Sequence, residues 1–128
     1  MKKTVFTCSL LFAAFIIFSF TGGEDEIISA MKTGNAKALA THFKTTIDLT
    51  VLNKESVSSK AQAEQILKDF FAKHPPKSFK IVHQGTSKLG IQYRIGTLET
   101  TNGSFRVTIN SRSKNGKELI EQFRIDSD

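Results

Sequence analysis

The sequence predicts a single α+β domain in which N-terminal helices and a long helix pack on an antiparallel sheet. Three observations carry that prediction. A helix-capping signal and an apolar stripe run from Ser59 to Phe71. Between Phe79 and Ile125 ten apolar residues stand on odd numbers, the period of strands with one buried face. Gly90, Gly103 and Gly116 recur thirteen residues apart, each closing a loop between such strands.

The chain opens on "MKK" and the uncharged apolar run "VFTCSLLFAAFIIFSF", Val5 to Phe20, followed by "TGG" and then the acidic "EDE". That order is a secretory leader, read as residues 1–23, with the α+β domain occupying 24–128. No A-x-A triplet marks the cut, and the run is short for a membrane span, which needs roughly 20 apolar residues. The expectation is an exported protein, periplasmic or secreted, touching the membrane only if the leader stays attached. The one cysteine, Cys8, lies inside the leader, so the mature chain has no thiol for a disulfide, a metal or a nucleophile. At 128 residues, 39% hydrophobic and 23% charged, the chain has material for one core and excludes disorder. The net charge of +6 falls to +4 without Lys2 and Lys3, 16 basic against 12 acidic residues, which is no nucleic-acid signature.

The first mature element is a helix over Glu24 to Lys32, with Ile27, Ile28 and Met31 at helical spacing and Gly34 as its stop. Asn35 caps a second short helix with Ala36, Leu39, Ala40 and Phe43 on its apolar side. "TTIDLTVLN" alternates through Ile47, Leu49 and Val51 and reads as a strand. Ser59 with Gln62 forms a capping box for the long helix, whose stripe is Ala63, Ile66, Leu67, Phe70 and Phe71. "HPP", His74 to Pro76, ends it.

The remainder is a four-stranded meander. Odd faces odd across every hairpin only if all three loops have three residues, each ending in a left-handed glycine. The inward rows are then Phe79–Glu99–Phe105–Ile125, Ile81–Thr97–Val107–Phe123, His83–Ile95–Ile109–Glu121 and Gly85–Tyr93–Ser111–Leu119. A buried Glu99 is awkward, so the register is expected to fray or bulge near Gly96. Polar inward residues gather at one end: His83, Tyr93, Ser111 and Glu121. The even face carries every arginine, Arg94, Arg106, Arg112 and Arg124, together with Leu98 and Ile120, and sets Arg106 against Arg124.

"SKAQAEQILKDFFAKHPPKSF" (Ser59 to Phe79), "HQGTS" (His83 to Ser87) and "YRIGTLETTNGSFRV" (Tyr93 to Val107) carry a resemblance spanning nearly the whole mature chain. The chain resembles the nuclear transport factor two-like, or cystatin-like, superfamily, and within it a family of short signal-bearing bacterial proteins of unknown function. The resemblance implies a curved sheet wrapped around the long helix into a cone with a cavity at its wide end. It brings no catalytic residue, so activity is argued from the site alone.

Two sites follow. His83, Tyr93, Ser111 and Glu121 line the open end of the cone, suited to a small amphipathic ligand. Arg94, Arg106 and Arg124 with the aliphatics of the same face suit a docking partner or the twin sheet of a homodimer. The favoured function is a non-catalytic binding or interaction module without cofactor. The competing one is a small isomerase or lyase with Glu121 as base and Tyr93 as donor, although these two are not adjacent in the register. His42, His74 and His83 have no metal-ligand spacing. There is no G-x-S-x-G, Walker-type loop, H-E-x-x-H or paired Cys. Export and the lack of aromatics beside the basic residues argue against nucleic acid.

Overall fold

The computed structural model describes residues 25–128; the predicted leader, and with it Cys8, lies outside the described residues. The elements are α1 (Glu26–Thr33), α2 (Ala36–Ala40), β1 (Phe43–Val51), β2 (Lys54–Ser59), α3 (Lys60–Lys73), β3 (Pro76–Thr86), β4 (Ile91–Thr100), β5 (Gly103–Lys114) and β6 (Lys117–Ser127). The fold is α+β: three helices on one side of a curved six-stranded sheet ordered β2-β1-β6-β5-β4-β3. All strand pairs are antiparallel except β1 with β6.

Asp25 caps α1 by accepting from the Ile27 and Ile28 N–H groups. Left-handed Gly34 ends that helix, letting the Asn35 N–H return to the Ala30 carbonyl at 2.9 Å. The Asn35 cap of α2 and the Ser59–Gln62 capping box of α3 both form as the sequence predicts. Phe43 belongs to β1 rather than to α2, and meets Phe123 with ring centroids 6.0 Å apart.

From α3, Ala63, Leu67, Phe70 and Phe71 enter the core, where they join Leu49, Phe79, Leu98, Val107 and Phe123. Ile66, the fifth member of the predicted stripe, stays on the flank of the helix, 37% exposed. The end of α3 is held by the β4–β5 turn. Asn102 Nδ2 donates to the Lys73 carbonyl at 2.9 Å, and Asn102 Oδ1 meets His74 Nδ1 at 2.7 Å. The His74 ring packs between Phe70 and Phe105, at centroid distances of 4.7 and 4.9 Å. Asn102→Ala should cost about 1 kcal/mol in urea denaturation, because a helix-end carbonyl and the imidazole lose their partner together.

The sheet register departs from the sequence expectation in two turns. Lys88–Gly90 is the expected three-residue loop with Gly90 left-handed. Thr101–Asn102 and Asn115–Gly116 are two-residue turns, since Thr100 pairs with Gly103 and Lys114 with Lys117. One residue of slip reverses the faces of β4 relative to β5. Leu98 therefore turns inward and is fully buried, while Glu99 goes out to solvent. A bulge between Ile81 and His83 lies opposite the Ile95–Gly96 step, where the buried-glutamate conflict called for one. A second bulge, between Asn110 and Ser111, keeps Val107, Ile109, Phe123 and Ile125 on the inner face as predicted but with partners two residues away from the predicted rows, Val107 facing Ile125 and Ile109 facing Phe123. It also sets Arg106 against Asp126 rather than Arg124, which removes the like-charge pair.

β2 was not legible in the sequence. "KESVSS" has one apolar side chain, Val57, and that one is 70% exposed. The strand exists through its pairing with β1 across a two-residue turn, Leu52–Asn53, both left-handed at φ 50° and 73°. A leucine in that region costs on the order of 1–2 kcal/mol. Its N–H bond to the Ile125 carbonyl, 2.9 Å, holds it there.

Candidate functional site

The predicted polar mouth does not assemble. Ser111 alone of the four residues points inward, 1% exposed. His83 and Tyr93 lie on the face away from the helices, His83 opposite Ile95 and Tyr93 opposite Gly85. These pairings are as expected, and the Tyr93 ring does cover bare Gly85 backbone. The β3 bulge and the slip of β4 have carried His83 and Tyr93 to the other side of the sheet. Glu121 has no partner across β5, because the β6 bulge leaves it unpaired in the ladder. It is held instead by Arg112 Nε at 3.0 Å and Lys44 Nζ at 3.6 Å.

The same slip brings Arg94 inside, which removes it from the outer arginine face. Its guanidinium contacts Asp25 Oδ2 at 2.6 Å and Glu118 Oε1 at 3.1 Å, with only 14% of the side chain exposed. The Asp25 contact is one of charge, since Nη1 makes no aligned hydrogen bond. Ser111 completes the cluster by hydrogen-bonding Glu118 at 2.5 Å. Glu118, expected beside Arg112, is thus turned inward. The cluster joins the N-cap of α1 to β4, β5 and β6. It reads as a latch. Leu98 and Ile120, expected as outer apolar patches, are core residues.

Arg106 and Arg124 remain on the outer face. Arg124 Nε donates to Asp126 at 2.8 Å; that hydrogen bond, then the charges of Asp126 and Glu55, hold its pKa above the ordinary arginine value. Arg106 has no ion pair among the described residues. Nor do three metal-ligating side chains converge among them.

An open hollow with an apolar floor lies elsewhere, between α3 and the β1–β2 hairpin. It has a volume of about 610 Å³. Leu49, Val51, Leu52, Ile66 and Phe70 line it, and Lys54, Glu55, Asp69, Lys73 and His74 stand at its rim. A shallower continuation follows β2 past Ser56, Val57 and Ser58, facing Ala61, Gln62 and Gln65 of α3. A concave apolar floor with polar groups at its edge is the form of a ligand site. The α3 stripe at 63, 66, 67, 70 and 71 is the ordinary set of a core-facing helix, with Ile66 at one edge of it, so the sequence did not mark Ile66 as exposed.

Residues 24–126 match the family described as "Domain of unknown function (DUF4783)". The chain is similar to the crystal structure of a DUF4783 family protein from Bacteroides uniformis, with 35% identity, TM-score 0.76, and coverage of 83% of this chain and 97% of that one. A domain of unknown function with a cystatin-like fold from Nostoc punctiforme shares 11% identity at TM-score 0.63, over 90% of this chain and 76% of that one. An NTF-2 like protein of unknown function from Silicibacter pomeroyi shares 14% identity at TM-score 0.61, over 91% and 98%. At those identities the last two show the fold alone. No curated protein matches the chain.

Proposed function

The chain belongs to the DUF4783 family, a domain of unknown function, and on that premise we propose that it is an exported, non-catalytic binding module whose site is the groove between α3 and the β1–β2 hairpin. One observation supports the groove above all: Ile66, Leu52 and Phe70 line an open hollow of about 610 Å³ with nothing packed over it among the described residues. The left-handed Leu52 at its floor adds to this, because backbone strain concentrates at working sites. The ligand is amphipathic, with an apolar part against that floor and a polar part at the rim. Export rests on the leader composition.

Anilinonaphthalene sulfonate, an apolar fluorophore with an anionic head, tests the reading. Its emission should rise on mixing with the protein. Ile66→Lys should weaken that binding by roughly tenfold, the scale set by taking one apolar side chain out of the groove wall and putting a charge in its place. Tyr93→Phe and Glu121→Gln should leave it unchanged. Equal binding by Ile66→Lys would remove the groove from consideration. The isomerase reading has less support, because Glu121 is held by two cations and Tyr93 lies two strands away, across β5.

A second reading has its own observation. On the outer face Ile95 and then Tyr93 follow along β4 from the Thr97–Arg106 pair, and a face carrying an aliphatic, an aromatic and an arginine without an ion pair among the described residues has the residue types of interface centres. There the outer sheet face, with Arg106 and Arg124, would meet its twin in a homodimer. A monomer mass in solution at micromolar concentration rules that out.

A further inference from the structure

We infer that the groove receives an extended peptide segment of alternating apolar and basic residues, added as a seventh strand along the free edge of β2. The inference rests on the groove being the binding site and names its occupant. β2 is the end strand of the sheet, so one row of its backbone groups has no strand beside it among the described residues. The two-residue turn fixes which row. Val51 and Lys54 close the turn as a bonded pair, and pairs alternate along an antiparallel ladder. Lys54, Ser56 and Ser58 therefore bond to β1, while Glu55 and Val57 direct their N–H and C=O groups to the open edge.

α3 starts at the end of β2 and runs back beside it, so the open edge forms one wall of the groove and the helix flank the other. A strand bonded to Glu55 and Val57 would send alternate side chains to opposite faces. Those on the groove side meet Ile66 and the hollow floored by Leu52 and Phe70. Those on the other side lie over Glu55 and Val57, with Asp48 one strand further in, opposite Val57; Glu55 and Asp48 are exposed carboxylates without an ion pair among the described residues. The apolar wall on one side and the acidic one on the other give the alternation of the peptide.

The probe is a fluorescein-labelled hexapeptide of alternating lysine and valine, followed by anisotropy against the protein as recovered from its own cells. Binding should appear. It should fall by roughly tenfold for Val57→Pro, which removes a free-edge donor and spares the β1 ladder, and by a similar factor for Glu55→Lys. Val57→Ala should stay within about twofold of the unchanged protein. A probe N-methylated at alternate residues keeps its side chains and loses its donors, so it should fail to bind without any change to the protein. Equal binding of the methylated probe overturns the strand. Absence of peptide binding where anilinonaphthalene sulfonate still binds also overturns it and leaves the groove standing. Loss of both probes removes the groove as well.

Discussion

Gly96→Ala should destabilise the protein by about 3 kcal/mol, the upper range for overpacking a core, and lower its Tm by about 10 °C. A Cβ at Gly96 would stand 2.7 Å from the Phe79 ring and 2.8 Å from the Lys80 carbonyl oxygen. The ring is buried in the core and the carbonyl belongs to the adjacent strand, so neither gives way cheaply. Gly85→Ala is the control. Its Cβ would also come within 2.7 Å of another group, but that group is the Tyr93 hydroxyl, the far end of a half-exposed side chain. The ring can swing outward, and the cost should stay below about 1 kcal/mol. Urea denaturation of the two variants side by side measures the difference. Equal costs would mean that β4 does not present its even residues to the core.

Arg94→Met should cost about 2 kcal/mol, somewhat less than the 3–5 of a fully buried pair because water reaches part of the cluster. Without the guanidinium, Asp25 and Glu118 keep their charges beside each other and Ser111. The loss is mostly the penalty of those uncompensated carboxylates, so it should be recoverable. Adding Glu118→Gln to Arg94→Met should return a part of the stability, a non-additive pair in a double-mutant cycle. Additive effects in the cycle would mean that Arg94 and Glu118 do not face each other. Arg94→Lys should rescue poorly, because one ammonium cannot bridge two carboxylates on different elements as a planar fork does.

Much of the architecture was readable from the residues, and the reasons are local. The Ser59–Gln62 capping box, the proline stop after His74 and the left-handed glycine at Gly34 act within a few residues, so the helices came out where the sequence put them. The odd-numbered row of β5 was equally plain, because Phe105, Val107, Ile109 and Ser111 all face inward. The candidate site was not readable, because it depends on register, and register depends on turns that differ by a single residue. "TNG" and "KNG" serve a two-residue turn as well as a three-residue one. The choice at Thr101–Asn102 reversed β4 and exchanged Tyr93 for Arg94 on the inner face. Only the misplaced Glu99 gave warning, and it located the bulge correctly without revealing the slip. β2 was hidden for a different reason: its side chains carry no pattern, and it is a strand only because β1 lies beside it.

The measurement closest to the central claim is the amide spectrum of the nitrogen-15-labelled protein, titrated with decanoate. If the groove between α3 and the β1–β2 hairpin is the binding site, the shifts should cluster on residues 49–58 and 62–74. Shifts centred on Tyr93, Arg106 and Arg124, or none up to the solubility of the probe, would contradict it.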